Sequence, residues 1–254
     1  MHLASQADPP GLRAPLALEP VVPDEVVEVF RDRCGAARVL GLCLPPSGLR
    51  TFAAAWVYFR WADDVVDAPG RDPVEVRRFV VDQAALLAGS RDAVRLEEEA
   101  LVACLADPVR GEAMRRACGR MLAALRFDAH RPARSPASDL EAQLARIGDA
   151  YATALWACAH EGPPPTDVPA AACALARAAT AAHQVRDLEL DLELGYDNVP
   201  EGEERGPAWV TARRAEVDAR FARWLPELRG LSWRPRWAFR LLAWKYRITL
   251  WRAA

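Results

Sequence analysis

The sequence lacks any run of about 18 uninterrupted apolar residues, the length that a helix needs to cross a bilayer. Its proline-rich beginning contains no continuous apolar segment of the kind that marks a secretory signal. Six cysteines are present, but none forms a CxxC pair, and most have apolar or alanine-rich neighbours, as reduced buried thiols do. We therefore predict a cytoplasmic protein with at most peripheral membrane contact.

A strong charge of either sign is also lacking. The chain has 33 basic and 35 acidic residues, a formal net charge of −2, so its electrostatics give no reason to expect a nucleic-acid partner. Among the basic residues lysine is nearly absent, because Lys245 is the only one. No alternating apolar pattern typical of strands, no repeat of fixed period and no coiled-coil heptad is present.

Helical periodicity is abundant instead. The proline-rich residues 1–22 predict a flexible arm, and residues 23–254 predict one helical domain. Proline and glycine clusters mark the ends of the periodic segments. These segments predict an all-α bundle with helices at 24–34, 48–68, 73–89, 92–106, 108–127, 138–160, 168–194, 207–228 and 235–252.

One of these predicted helices carries a cluster of carboxylates. Asp63 and Asp67 are four residues apart and share a helix face, and Asp64 stands beside them. Like charges at this spacing repel, so the cluster needs a cation or an arginine, and Arg60 lies one turn before Asp64. Taken alone, the pattern more often marks a solvated helix face.

A second predicted helix repeats the arrangement. Asp187 and Asp191 share a face, His183 lies one turn earlier, and Arg186 is adjacent. Mg²⁺ prefers carboxylate oxygens and usually takes one or two of them, filling its other positions with water and phosphate oxygens. Two such helices facing each other could therefore hold a diphosphate between metal ions.

The two clusters resemble the signatures of the squalene/phytoene synthases. In that family a Leu-Pro pair is followed, fifteen residues after the proline, by Arg and then xxDDxxD; here Leu44-Pro45 precedes Arg60 and the first cluster at that spacing. The second family signature begins NILRD, has a second Asp four residues later and ends in GRxYLP; it is resembled here by Arg186, Asp187 and the residues that follow, namely Asp191, Gly195 and Pro200.

The resemblance implies an isoprenoid (terpenoid) synthase fold, a single helical bundle with a central apolar cavity. It implies that Mg²⁺ is held by the acidic side chains, and that Arg60 and Arg186 lie near the diphosphate of a farnesyl, geranylgeranyl or geranyl substrate. The metal ligands carried over are Asp63, Asp64, Asp67, Asp187 and Asp191. Four of these, Asp63, Asp67, Asp187 and Asp191, are also carried over as catalytic residues, and His183, which occupies the family's Asn position, is added as a candidate.

Several residues depart from the family pattern. The family's Ser-x-Ser-Phe, which helps to hold a diphosphate, falls on residues 34–37, where Cys34-Gly35-Ala36-Ala37 offers no hydroxyl. Tyr196 and Asn198 replace the Arg and Tyr after the glycine. The carboxylates are kept while the surface for a second prenyl substrate is altered, although Arg31, Arg33 or Arg38 could compensate.

Other conspicuous residues have two interpretations each. Trp233, Trp237, Trp244 and Trp251, with Phe239 and Tyr246, indicate core packing, or a prenyl pocket in which one or two rings stabilise a carbocation. The loop 200–207 is a connection or a lid that excludes water. His160 is predicted to end a helix rather than to act in catalysis.

We predict a Mg²⁺-dependent prenyltransferase that ionises an allylic prenyl diphosphate and favours a non-prenyl nucleophile over a second prenyl chain. The alternatives are a class I terpene cyclase on the same scaffold and a helical assembly factor without catalysis. A di-metal carboxylate oxidase ranks last, because its Glu-x-x-His ligands are absent from the sequence.

Overall fold

The computed structural model describes residues 22–68 and 70–252, and within them it is entirely helical apart from one isolated bridge between Arg134 and Asp197. The elements are α1 Asp24–Arg33, α2 Ala37–Cys43, α3 Pro46–Val66, α4 Pro73–Leu87, α5 Leu96–Leu105, α6 Gly111–Asp128, α7 Ala137–Cys158, α8 Ala170–Glu193, α9 Pro207–Trp224, a 3₁₀ turn Pro226–Gly230 and α10 Trp233–Arg252. The predicted all-α fold is confirmed.

Prolines set many of the helix beginnings. Pro46, Pro73 and Pro207 each occupy the first turn, where the missing N–H costs nothing because it has no partner within the helix. Asp72 caps α4, its side chain accepting a hydrogen bond of 2.8 Å from the backbone N–H of Val74. The predicted arm 1–22 lies outside the described residues except for Val22, which is buried.

The core is built around α3, α7 and α8, whose faces are rich in alanine. α3 packs against α1, α5, α6 and α7, while α8 packs against α7, α9 and α10. Gly148 permits a close approach of α7 and α8, because a Cβ there would stand 2.6 Å from the Cα of Arg177 on α8. Small residues thus bring the long helices together, and larger side chains are left to line the space between them.

Two further findings bear on the sequence analysis, one on the cysteines and one on membrane spans. All six cysteines are free thiols, and five of them are buried. Among the described residues no helix combines the length and the apolarity that crossing a membrane requires.

Candidate active site

A cavity of about 390 Å³ lies between α3, α6, α7, α8 and α10. Its lining changes character along α3: Phe52, Trp56 and Phe59 come first, and Asp63 and Asp67 follow toward the end of the helix. On α6 the order is the same, from Met114 and its apolar neighbours to the last residue of the helix, Asp128. The cavity therefore has an apolar end and an acidic end.

The acidic end collects carboxylates from three helices. Asp63 and Asp67 come from α3, Asp128 from α6 and Asp191 from α8. Asp63 and Asp67 of the first predicted cluster and Asp191 of the second thus line the same cavity, and Asp128 joins them. The side chain of Asp63 is still 47% exposed, so this end of the cavity reaches solvent.

Burial, and after it mutual repulsion, raises the pKa of these carboxylates. Burial and then repulsion from Asp67 raise the pKa of Asp63 to about 7, against the opposing effect of Arg60. Burial, followed by repulsion from Asp128 and Asp191, raises the pKa of Asp67 to about 6. Burial is likewise the main reason that the pKa of Asp128 rises to about 7 and that the pKa of Asp191 is raised. This excess of negative charge favours a cation.

Asp187 is in a different state from these four. Burial opposes its ionisation, but hydrogen bonds from His183 and Arg186 outweigh burial and hold its pKa well below the ordinary range. His183 Nδ1 lies 2.9 Å from Asp187 Oδ2, and Arg186 donates to both oxygens of the same carboxylate. Asp187 and Arg186 are not among the residues that line the cavity, whereas His183 is.

His183 bridges its two neighbours. Its Nε2 lies 2.9 Å from Nη2 of Arg186, which can only donate, so Nε2 accepts and Nδ1 carries the proton given to Asp187. This assigns the neutral Nδ1–H tautomer to the arrangement. His183 therefore contacts both Arg186 and Asp187 and itself lines the cavity.

Arg60 and Asp64 form the corresponding pair on α3. Their side chains are 2.5 Å apart, and Arg60 lies 3.7 Å from Asp63. Arg60 lines the cavity but Asp64 does not. Asp64 therefore orients the guanidinium group of Arg60, while Asp63 and Asp67 are the carboxylates of this cluster that face the cavity.

A buried polar network that the sequence analysis missed supports the acidic end. Arg131 Nε lies 3.2 Å from Asp128 Oδ1, and Gln143 Nε2 donates to Asp128 Oδ2 at 2.7 Å. Arg131 also donates to Asn198 Oδ1 at 2.9 Å, and Asn198 donates to Asp191 Oδ2 at 2.7 Å. The network links α6 and α7 through Asp128, and it reaches Asp191 of α8 through Arg131 and Asn198.

The segment after α8 contributes Tyr196 and Asn198, two residues that depart from the second family signature, to this acidic end of the cavity. Gly195 takes a left-handed φ of 92°, which turns the chain back after the helix. Tyr196 then forms a side-chain hydrogen bond with Asp67, and the guanidinium carbon of Arg131 lies 4.6 Å from the centre of its ring. Where the family has an arginine after the glycine, this chain has a tyrosine that contacts an arginine from the α6–α7 loop.

The segment without hydroxyls reaches the same cavity. Arg33, Cys34 and Gly35 line it, together with Lys245 and Tyr246 of α10. Of the three arginines considered as compensation, Arg33 is at the cavity, and Arg31 and Arg38 are not among its lining residues. Burial raises the pKa of the Cys34 thiol, so this side chain is neutral.

The tryptophans of α10 are not in the core. Trp233, Trp237, Trp244 and Trp251 are all exposed, so neither core packing nor a place in the pocket holds for them. Phe239 is buried, and Tyr246 is the aromatic residue of this group that lines the cavity. The sequence cannot separate these positions, because the pattern of aromatics does not show which side of the helix meets the bundle.

His160 follows the end of α7, as predicted, and its Nδ1 hydrogen-bonds the carbonyl of Trp156 at 2.7 Å.

The loop 200–207 makes several contacts with its surroundings. Arg134 donates to the carbonyl of Glu203 at 2.8 Å, and Trp209 Nε1 donates to Glu203 Oε2 at 2.7 Å. Pro200 and Glu203 line a second cavity of about 230 Å³, which shares Gln184 and Asn198 with the first. Movement of the loop as a lid stays a prediction.

The acidic end of the cavity suits the predicted Mg²⁺ by the chemistry of its donors. Within residues 22–68 and 70–252, no three or more His, Cys, Asp or Glu side chains form a ready-made metal site. Mg²⁺ does not need one, because it takes one or two carboxylates and completes its shell with water and phosphate oxygens. Crowded carboxylates with raised pKa values beside an open cavity fit that requirement.

Comparison with known proteins agrees on the fold. No family model and no curated protein sequence matches the chain. Among solved structures, a dehydrosqualene synthase in complex with a ligand aligns with a TM-score of 0.66, over 88% of this chain and 83% of that one, at 16% sequence identity. The predicted resemblance to the squalene/phytoene synthases is confirmed as a likeness of fold, with a strongly divergent sequence.

Proposed function

We propose that this chain is a Mg²⁺-dependent isoprenoid synthase that ionises an allylic prenyl diphosphate and transfers the carbocation to a second substrate. The observation that carries the proposal is the convergence of four carboxylates at one end of a cavity whose other end is apolar. A diphosphate with its cations suits the acidic end, and a prenyl chain suits the apolar end. The fold shared with a dehydrosqualene synthase supports the same chemistry.

Asp63, Asp67 and Asp191 are the proposed ligands of Mg²⁺, because they face the cavity and their charges crowd one another. Held by these carboxylates, Mg²⁺ would supply positive charge to stabilise a departing diphosphate. Asp64 and Asp187 act through the arginines they orient. Arg60, which lines the cavity, is proposed as a donor to the diphosphate oxygens, while Arg186 lies outside the lining and is proposed to act beside it through His183.

The apolar end keeps the cation from water. Phe52, Trp56, Phe59 and Tyr151 line it, and the faces of such rings attract a cation. Pyrophosphate leaves with the electron pair of the broken bond, and the acceptor supplies the pair for the new one. Exclusion of water matters because water would otherwise be the first nucleophile to reach the carbocation.

The acceptor is proposed to be a small nucleophile other than a prenyl chain. Residues 34–37 reach the cavity without a hydroxyl that could hold a second diphosphate. Only one set of diphosphate-binding groups is therefore complete, that of the two aspartate helices. The prenyl donor is drawn from geranyl, farnesyl and geranylgeranyl diphosphate.

The test is pyrophosphate release from each of these three diphosphates with Mg²⁺, followed by mass analysis of the products. Asp67→Asn and Asp191→Asn should abolish release, while Asp82→Asn, an exposed position on α4, should not. A cyclic hydrocarbon formed without any acceptor would identify a terpene cyclase. No release from any donor by folded protein would refute the proposal and favour a non-catalytic assembly factor.

A further inference from the structure

The outer face of α10 carries a row of exposed tryptophans. Trp233, Trp237, Trp244 and Trp251 are 51%, 46%, 62% and 73% exposed. At about 100° per residue they fall within about 40° of one line along the helix. The buried residues of α10, including Phe239, Ala243 and Leu250, lie away from this line. Four exposed aromatic side chains therefore form one stripe, which we term the tryptophan stripe, and within it the guanidinium carbons of Arg234 and Arg240 lie 4.5 and 5.6 Å from the ring centres of Trp233 and Trp237.

Basic residues border this stripe on both edges. Arg236, Arg240 and Arg247 lie along one edge, and Arg234 and Lys245 lie along the other, by the same helical geometry. Residues 233–252 contain no acidic residue at all. Arg247 and Arg234 are paired with Asp218 and Glu161 of other elements, at 2.7 and 2.9 Å, which leaves the charge of the other three uncompensated by an ion pair within the described residues.

The geometry points to an anionic membrane surface as the partner of the tryptophan stripe. Indole rings prefer the boundary between lipid headgroups and acyl chains, where the ring is in an apolar and the N–H in a polar environment. Arginine and lysine beside them are attracted to anionic headgroups. Contiguous exposed aromatic surface of this kind is uncommon on monomeric soluble proteins and marks an interaction site.

A second copy of the chain fits the surface less well. In a twofold dimer the same patch meets itself, so the basic edges of one α10 would face the basic edges of the other. Such an interface would bring like charges together with no acidic residue of α10 between them. An anionic lipid surface supplies the opposite charge along the whole helix.

Docking by this face would hold the cavity next to the bilayer. Lys245 and Tyr246 of the same helix line the cavity, immediately after the exposed Trp244. The inference goes beyond the proposed function and does not depend on it.

The test is co-sedimentation of the full chain with phosphatidylcholine vesicles that contain or lack phosphatidylglycerol. We expect binding to the anionic vesicles that weakens with added salt. The variant Trp237→Gln, Trp244→Gln, Trp251→Gln should lose about tenfold or more in binding. Its control is Val74→Gln, Val81→Gln, Val94→Gln, three exposed apolar positions outside α10, which should bind like the wild type.

Circular dichroism and melting curves check that both triple variants fold. Absence of vesicle binding by the wild type, or equal binding by the tryptophan variant, would overturn the inference. If the wild type does not bind vesicles but forms a dimer that the tryptophan variant abolishes, the partner is a second copy and the inference is overturned. If instead it binds a DNA duplex in a way that the variant abolishes, the partner is a nucleic acid and the inference is overturned as well. Pyrophosphate release is measured separately, so a failure of the proposed function would be distinguishable.

Discussion

The aspartates of the two clusters differ in how their ionisation affects the free energy of unfolding. Asp63 and Asp67 have raised pKa values of about 7 and 6, so between about pH 4 and pH 7 the folded protein binds more protons than the unfolded chain. Their contribution to the free energy of unfolding therefore falls as the pH rises through this window. Asp187 has a lowered pKa, and its ionised form stabilises the fold.

Asparagine substitutions should distinguish a carboxylate whose charge destabilises the fold from one whose charge stabilises it. At pH 8 without metal, Asp63→Asn should raise the melting temperature by about 2–4 °C, since removing a crowded but partly exposed carboxylate gains about 1 kcal/mol. Asp187→Asn should lower the melting temperature by a similar amount, because hydrogen bonds to a charged group are lost. Melting curves from pH 5 to pH 8 test this, and a decrease for both variants would contradict the assigned charges.

The Arg131–Asp128 pair offers a second prediction at this scale. The side chain of Arg131 is 5% exposed and that of Asp128 is 21% exposed, so losing the guanidinium group leaves a buried carboxylate without its partner. Arg131→Met should reduce the free energy of unfolding by about 2–4 kcal/mol at pH 8.

Adding Asp128→Asn to Arg131→Met should recover part of this loss, and urea unfolding of the two single variants and the double variant gives the coupling energy. Strict additivity of the two single effects would show that the pair does not interact.

The spacing of residues in the sequence predicted only some of the residues at the acidic end of the cavity. Asp63, Asp67 and Asp191 could be found because helical spacing alone places them on common faces. Asp128 and Arg131 stand in no such pattern, since one ends α6 and the other lies in the loop after it. Their importance comes from packing beside α3 and α8, which only the tertiary structure shows.

At the scale of helices, the contact between α7 and α8 sets the width of the cavity. Gly148 of α7 lies so close to Arg177 that an added Cβ would stand 2.6 Å from a backbone atom. Both helices line the cavity, α7 with Ile147 and Tyr151 and α8 with His183. The two helices cannot separate without also moving these side chains.

Gly148→Ala should therefore destabilise the protein by about 1–3 kcal/mol, because the overlap with a neighbouring backbone cannot be relieved by a side-chain rotation. The matched control is Gly119→Ala on α6, where nothing lies within 4 Å of the new Cβ. That change should stabilise the protein by about 0.5–1 kcal/mol through helix propensity. Denaturant unfolding compares the two, and equal effects would refute the close approach.

Helix positions were predictable where the periodic segments were long. α7 and α8, predicted at 138–160 and 168–194, occupy Ala137–Cys158 and Ala170–Glu193. α2, Ala37–Cys43, was missed because it has seven residues, contains a glycine and is too short for a periodic signal. The exposed tryptophans of α10 were misassigned for a related reason: helical spacing places side chains on a face, but only packing determines whether the face is covered.

At the scale of the whole molecule, the carboxylates on α3, α6 and α8 should bind metal and anion together. Mg²⁺ and pyrophosphate added jointly should raise the melting temperature by more than the sum of their separate effects, since each completes the coordination of the other. Arg60→Ala should reduce the joint shift, whereas Arg116→Ala, which pairs with Glu112 on α6, should leave it unchanged. Additive shifts would count against a shared site.

The fold alone does not determine the product. The chain shares its architecture with a dehydrosqualene synthase at 16% identity, and sequence divergence of this size leaves room for a different second substrate. Coupling two prenyl diphosphates requires that both diphosphates be held at once. In this chain the two aspartate helices offer carboxylates and arginines, while residues 34–37 bring only Cys34 and Gly35 to the cavity lining.

We therefore predict that farnesyl or geranylgeranyl diphosphate, supplied alone with Mg²⁺ and with or without NADPH, yields no efficient head-to-head C30 or C40 hydrocarbon. Arg33 and Lys245 also line this part of the cavity and provide positive charge, but they lack the short, fixed hydroxyl geometry of the family's serine segment. Product mass analysis decides the matter. A dominant head-to-head hydrocarbon, formed at an enzymatic rate rather than as a trace, would show that these two cations hold a second diphosphate in place of the missing hydroxyls.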